Sequence, residues 1–572
     1  MTEVEGGLPE PDELEPAQGT LDLAAPEDRH TREEWEAATA AVLRKSRRIG
    51  ESDPDSVVWE RLTRTTLDGI AVTPLGTPDL LDDLVTGGRP TRAGAWDIRA
   101  HHGAGAAKAV NEAALVDLDG GVTSLWLETD GADLAALLDG VLLDLAPVVL
   151  DPPTDPLGAA RAFLEYAGER DLAPGTNLGV DATSADDVLV EAARLARERG
   201  TLALVVDGTR VHDRGASDVQ ELAHSLAVGV RALRVLEEAG IPVSETASLV
   251  EFRFAATDEQ FLTIAKLRAA RRLWARVLEL SGAEGTMRQH AVTSRPMMTR
   301  FDPYVNMLRT TVAAFAAGVG GADAVTVLPF DSPLGRPEAF GRRIARNTSH
   351  LLIDESHVAQ VADPAGGAYA VERLTDDLAV AAWELFGRLE DGADLDAEIA
   401  ATVERREAEV AKRKRPITGL SEFPNLAETL PEREDDGAWA GVRPYGASFE
   451  AMRDAPPADR VFLATLGPIA QHTARATFAT NLLAAGGVAV DVAGPTKDAD
   501  ELVAAYDGQR VVCLAGADAT YAEWGPAASE ALRAAGASYV IVAGKPADHA
   551  DDSCAMGVDA LAFLTRVREQ LR

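Results

Sequence analysis

Residues 461–492 read VFLATLGPIAQHTARATFATNLLAAGGVAVDV. An apolar run of strand length, Val461 to Leu466, is followed by a break at Gly467 and Pro468. A helix-period stretch then runs from Thr473 to Leu483, Gly486 and Gly487 stand where a C-cap belongs, and a second strand follows at Val488 to Val492. This is one βαβ unit. Its loop, Gly467 to Arg475, falls at the carboxyl end of the first strand, where an open α/β sheet binds its ligand. Further strands are expected at Arg510 to Leu514, Tyr539 to Val542 and Ala560 to Phe563, so residues 460–572 read as a small flavodoxin-like doubly wound domain.

Upstream, residues 121–390 alternate strand-like runs with helical stretches. The strands are expected at Ser124 to Glu128, Pro147 to Leu150, Asn177 to Asp181, Leu202 to Asp207, Leu249 to Ala255, His290 to Thr293, Ala324 to Pro329 and Gln360 to Ala362. Eight such repeats in a span near the usual length of about 250 residues predict an α/β fold of the (β/α)8 TIM barrel type. Chemistry in such a barrel sits at the carboxyl ends of the strands, here Glu128, Asp151, Asp181, Asp207 to Arg210, Phe254, Thr293 to Arg295, Phe330, Asp331 and Asp363. Asp and Gly at these turns are also what any tight βα connection uses. No nucleophile elbow and no HExxH is present.

Residues 1–28 are acidic, Pro- and Gly-rich and read as a disordered tail. Residues 29–120 read as an N-terminal helix, with Thr31 and Glu34 as a capping box, followed by an extended arm whose segment Thr65 to Asp79 suits a subunit contact or, equally, a segment that hugs the chain's own surface. Residues 391–459 read as a linker along the barrel, anchored by Trp439, Tyr445 and Phe449.

The chain has 572 residues, 55 Lys plus Arg against 92 Asp plus Glu, and a net charge of -37. Such an acid excess repels phosphate backbones, so nucleic acid is not an expected partner. No apolar run reaches the roughly 18 residues of a membrane span. Two cysteines, Cys513 and Cys554, without paired spacing or a signal peptide, point to a reduced, cytoplasmic setting, with Cys513 in the core. Arg268, Arg272 and Arg276 form a basic stripe on one helix, read as a solvated face or a set of salt bridges, with contact to an acidic partner as the alternative. Gly103 and Gly105 before Lys108 lack a convincing preceding strand, and Gly318 to Gly321 read as a helix C-cap, so neither is taken as a nucleotide loop.

The stretches LRAARRLWARVL (267–278), FDPYVNMLRTTVAAFAAGVGGAD (301–323), RIARNTSHLLIDES (343–356) and VADPAGGAYAVE (361–372) resemble the barrel of methylmalonyl-CoA mutases. The cobalamin domains of that family carry Asp-x-His-x-x-Gly in the loop after the first strand. Here the loop reads Ala470-Gln471-His472-Thr473-Ala474-Arg475, and only His472 survives. A ligating imidazole needs an acceptor on its second nitrogen, which Ala470 does not supply. Arg475 stands where the family's Gly lets the cofactor's nucleotide tail pass. By itself His472 reads as a solvated loop histidine near a helix N-terminus. The family's Gly-Tyr-His turn is Gly208-Thr209-Arg210, and Ala93 to Arg99 keeps Trp96 but not the substrate-contacting tyrosines.

The resemblance is to the small, or beta, subunits of heterodimeric bacterial mutases. It implies a structural, non-catalytic chain beside a large (alpha) subunit that binds adenosylcobalamin and acyl-CoA, with no catalytic residue, no metal and no cofactor on this chain. The alternative is a competent acyl-CoA mutase that binds cobalamin through His472.

Overall fold

The computed structural model describes residues 29–572; the expected acidic tail, residues 1–28, lies outside the described residues. Residues 29–66 and 71–75 form a small unit of their own. Thr31 accepts from the Glu34 amide while the Glu34 carboxylate takes the Thr31 amide, which starts the helix Arg32–Lys45 with the expected capping box. Ala40, Leu43, Ile49 and Val58 make its core, and Trp35 and Trp59 meet with ring centroids 4.7 Å apart. Strands β1 (Arg64–Thr65) and β2 (Ala71–Val72) pair antiparallel.

Eight parallel strands close into a barrel: β3 (Asp97–His102), β4 (Ser124–Glu128), β5 (Val148–Asp151), β6 (Asn177–Asp181), β7 (Leu202–Asp207), β8 (Val250–Ala256), β9 (Arg288–Thr293) and β10 (Ala324–Thr326), with β10 returning to β3. Seven lie where the apolar runs place them. The eighth is β3, and not Gln360 to Ala362, where Gln360 ends a single 3-10 turn, Val358–Gln360, and Val361 and Ala362 form no strand. The barrel therefore takes in residues upstream of 121. The reason lies in the side chains of β3, DIRAHH. Arg99 and His101 point into a charged barrel interior and His102 turns outward to Asp117, so the strand has no apolar run to announce it.

The basic stripe is a set of salt bridges that is buried at Arg268 and reaches a solvated face at Arg276. Arg268 is buried and pairs with Asp363 and Glu372, Arg272 meets Asp376 at 2.6 Å, and Arg276 meets Glu279 at 2.7 Å. Gly318 lies inside the helix Val305–Val319, not in its cap; a Cβ there would come within 2.4 Å of the Trp96 ring, while Gly320 and Gly321 end the helix. Phe254 lies within β8 and is buried.

The linker helix Leu395–Ala411 packs on the barrel through Arg406, which donates to the Gly215 carbonyl at 2.7 Å, and its guanidinium lies 4.6 Å from the Tyr445 ring centroid. Phe449 is buried in one core with Phe301 of the barrel and Val461 and Leu463 of the last domain. That domain is a five-stranded parallel sheet in the order β12-β11-β13-β14-β15, from β11 (Val461–Thr465), β12 (Val490–Val492), β13 (Val511–Ala515), β14 (Tyr539–Ala543) and β15 (Asp552–Cys554). The order 2-1-3-4-5 is the flavodoxin-like one. Ala560 to Phe563 is not its last strand: it opens the helix Ala560–Gln570, which Asp559 caps, and Phe563, Leu564 and Val567 bury at helical spacing. Cys513 and Cys554 are both free and buried. Among the described residues no helix is long and apolar enough to cross a membrane.

Candidate functional site

The barrel axis is occupied by large charged and aromatic side chains. Arg99 of β3 crosses it to Glu251 of β8, with Nη1 2.7 Å from Oε1 and both side chains fully buried. Arg288 reaches the other Glu251 oxygen at 3.1 Å. One layer up, the Arg253 guanidinium lies 3.9 Å from the Trp126 ring centroid, donates to Asp207 at 2.9 Å, and has its Nε 3.3 Å from His290 Nδ1. Trp126 donates its indole N–H to Asp151 at 2.9 Å and stacks against His101 at 4.2 Å. Burial pushes the Glu251 and Asp207 carboxyls up, but Arg99 and Arg288 in one case and Arg253 in the other outweigh it and hold both ionised. His101 and His290 are held neutral by burial beside these cations.

The expected rim carboxylates are brought together in part. Arg210, exposed at the start of the helix Thr209–Asp213, reaches over to Asp181 at 2.6 Å, while Asp207 accepts from the Thr209 amide at 3.0 Å. Asp151 and Asp207 thus share Arg253, whereas Asp331 and Asp363 are drawn off to Arg433 and Arg268. Glu128 sits apart and accepts from the Ala104 amide at 3.4 Å. The loop Gly103 to Ala106 does follow a strand, β3, which corrects the expectation, and no side chain caps the helix Ala107–Asp119 at Ala106. Arg99 and His101 were missed by the sequence reading, and the alternation in DIRAHH was the available signal.

In the last domain His472 is buried rather than solvated, 7% exposed, on the first turn of the helix Ile469–Ala485. The helix starts at Ile469 because Pro468 takes the N-cap position, and this turns His472 inward. Its Nδ1–H donates to the Gly467 carbonyl at 3.0 Å, so a backbone oxygen holds the second nitrogen where Ala470 cannot. Arg475 lies across the carboxyl ends of β13 and β14, donating to the Gly516 carbonyl at 2.6 Å and pairing with Asp518 over the Tyr521 ring. The Tyr521 hydroxyl lies 3.0 Å from the Leu514 carbonyl, 2.9 Å from that of Ala543, and accepts from the Gly516 amide at 2.9 Å, which fills the space between the two strands. Among the described residues no group of three or more His, Cys, Asp or Glu is placed to hold a metal ion.

On the outer face of β3, burial next to Arg342 lowers His102 to about 4. Below pH 6.5 an unfolded chain takes up a proton that folded His102 refuses, so stability falls as pH drops from about 6.5 to about 4. Urea unfolding of wild type and His102→Gln at pH 7 and pH 4.5 is expected to show wild type losing up to about 3 kcal/mol relative to the variant across that range. A stability difference that does not change with pH would place the proton on His102 in both states.

Residues 197–456 match the family model described as methylmalonyl-CoA mutase. The methylmalonyl-CoA mutase small subunit of Streptomyces virginiae is 46% identical over 96% of this chain and 98% of its own length. That of Propionibacterium freudenreichii subsp. shermanii is 36% identical over 95% of this chain and 93% of its own length. The Escherichia coli methylmalonyl-CoA mutase is 28% identical over 68% of this chain and 64% of its own. With a closed parallel barrel followed by a flavodoxin-like sheet, and with likeness along nearly its whole length, this chain belongs to the methylmalonyl-CoA mutase family, among the small subunits.

Proposed function

We propose that this chain is the non-catalytic, stabilising subunit of a heterodimeric adenosylcobalamin-dependent mutase that interconverts methylmalonyl-CoA and succinyl-CoA by radical rearrangement. The observation that carries the reading is the filled barrel axis. A radical rearrangement needs a sealed chamber that holds substrate against the cofactor. Here the Arg99–Glu251 pair and the Arg253–Trp126 stack take up the space on the axis. The thioester-facing imidazole of the family is Arg210, turned to Asp181 at the rim.

The last domain supports the same assignment, because its residues do not fit the cofactor. Arg475 and Tyr521 take the ground between β13 and β14 that a nucleotide tail would need, and Gly467 has Gln471 Oε1 2.5 Å from where a Cβ would stand. A histidine that held the cofactor's metal would have to project from its domain, and His472 is turned inward. One observation favours the alternative of a competent, cobalamin-binding chain: the Gly467 carbonyl fixes the His472 tautomer that leaves Nε2 as an acceptor, the form that ligates a metal.

The deciding experiment is cobalamin retention. Purify the chain alone and with its large subunit, incubate each with adenosylcobalamin, desalt, and read the corrin absorbance per chain. None on the lone chain and about one per heterodimer is expected. Stoichiometric cofactor on the lone chain, lost in His472→Ala, would establish the alternative.

A further inference from the structure

Where β10 leaves β3, a cavity of about 270 Å3 runs from the barrel mouth, beside His101 and Glu128, to the outer side of β3 between the helices Ala107–Asp119 and Ala339–His350. One side is hydrocarbon, with Val110 and Ala113 facing Leu328. The other side is charged. Arg346 donates to Asp117 at 2.8 Å, but Arg342 stands 4.0 Å from that carboxylate and donates to the Pro337 carbonyl instead. Two guanidiniums against one carboxylate leave one positive charge in excess. His102 lines the same space, 6% exposed, and its Nε2 has no hydrogen-bond partner, with Asp117 Oδ2 at 3.5 Å. Buried polar groups in native proteins find partners, so an orphaned ring nitrogen on a cavity wall calls for one. Neither the barrel axis nor the last domain uses these groups.

We propose that this cavity is a binding site for a short aliphatic monocarboxylate, its carboxylate on Arg342 and His102 and its chain against Val110, Ala113 and Leu328. The charge balance selects a single negative charge: Arg99, Arg295 and Arg336, which also line the cavity, are paired with Glu251, Asp213 and Glu434, so a dianion would exceed the one remaining guanidinium, and Glu128 and Asp436 already stand at the mouth. The apolar wall selects hydrocarbon over a purely polar ligand. The volume equals about nine waters, room for a chain of roughly four to six carbons. The proposal stands independently of the subunit assignment.

The test is a ligand-observed NMR titration of the full chain with sodium butyrate, and with butyramide as the uncharged isostere. Saturable one-to-one butyrate binding is expected, at least tenfold weaker for butyramide and for Arg342→Gln, and absent in Ala113→Phe, which fills the cavity without touching its charges. Arg342 is partly exposed, so its variant is expected to fold, and the butyramide comparison needs no variant. Absence of saturable binding, equal binding of butyramide, or unchanged binding in Arg342→Gln would each overturn the assignment, leaving the cavity as a water site.

Discussion

Glu251→Ala is expected to lower the unfolding free energy by about 3–5 kcal/mol, the usual effect of removing one partner from a buried ion pair. Glu251 is fully buried and accepts from Arg99 at 2.7 Å and Arg288 at 3.1 Å, so it ties β8 to β3 across the axis and to β9 beside it. Without it the Arg99 guanidinium, whose side chain is also fully buried, keeps only the Ser124 hydroxyl at 3.1 Å and Asp97 at 3.9 Å. That is an uncompensated charge in a closed barrel. The double variant Arg99→Met with Glu251→Leu removes both charges at similar volume and is expected to recover most of the loss, since the desolvation of the pair disappears with it. Urea unfolding of the single and double variants measures both terms. A single variant that loses less than about 1 kcal/mol would mean that water reaches the axis and screens Arg99.

Gly179→Ala is expected to be more severe, with loss of soluble folded protein or a stability drop above about 4 kcal/mol. Gly179 sits in β6 at φ +71°, where the pairing to β7 slips register between Asn177 and Val180, and its amide donates to Asn177 Oδ1 at 2.9 Å. A Cβ there would stand 1.8 Å from the Leu150 carbonyl oxygen of β5. The left-handed backbone alone costs a non-glycine residue roughly 1–2 kcal/mol, and the collision is with main chain, which cannot swing away. Gly282→Ala separates the two effects, because Gly282 has φ +68° and nothing within 4 Å of its would-be Cβ. It is expected to lose only the conformational share, about 1 kcal/mol. Thermal midpoints of the two variants make the comparison, and equal losses would remove the close approach to Leu150 as the cause.

Most of the barrel was legible because its strands are buried on both faces and read as apolar runs, as at Leu202–Asp207, LALVVD, or Val148–Asp151, VVLD. What was not legible follows from the same rule. Strand β3 carries Arg99 and His101 into an interior whose charges are matched chiefly by Glu251, Asp151 and Asp207 on other strands, so no apolar run announces it and only the alternation in DIRAHH is left to read. Strand β15, DSC, has three residues and two polar ones, while the amphipathic helix after it begins with an apolar cluster that imitates a strand. At Arg475 and Arg210 the sequence marks a large cation, and the structure shows where each goes, Arg475 to the Gly516 carbonyl and Arg210 to Asp181. The site was not legible at His472, because the inward turn depends on Pro468 starting the helix and on a backbone oxygen that no side-chain pattern records.

The short strand β10 touches β3 at only two residue pairs, Ala324 with Asp97 and Val325 with Ile98. These are the last and the first strands of the barrel, so the contact that turns an open sheet into a closed one joins the segments farthest apart in the barrel's sequence. Loop-closure entropy weighs most on such a contact and little local structure repays it. A first strand written in arginine and histidine instead of valine and isoleucine carries, in its inward-pointing charges, what discourages a stray strand from pairing at an unclosed edge.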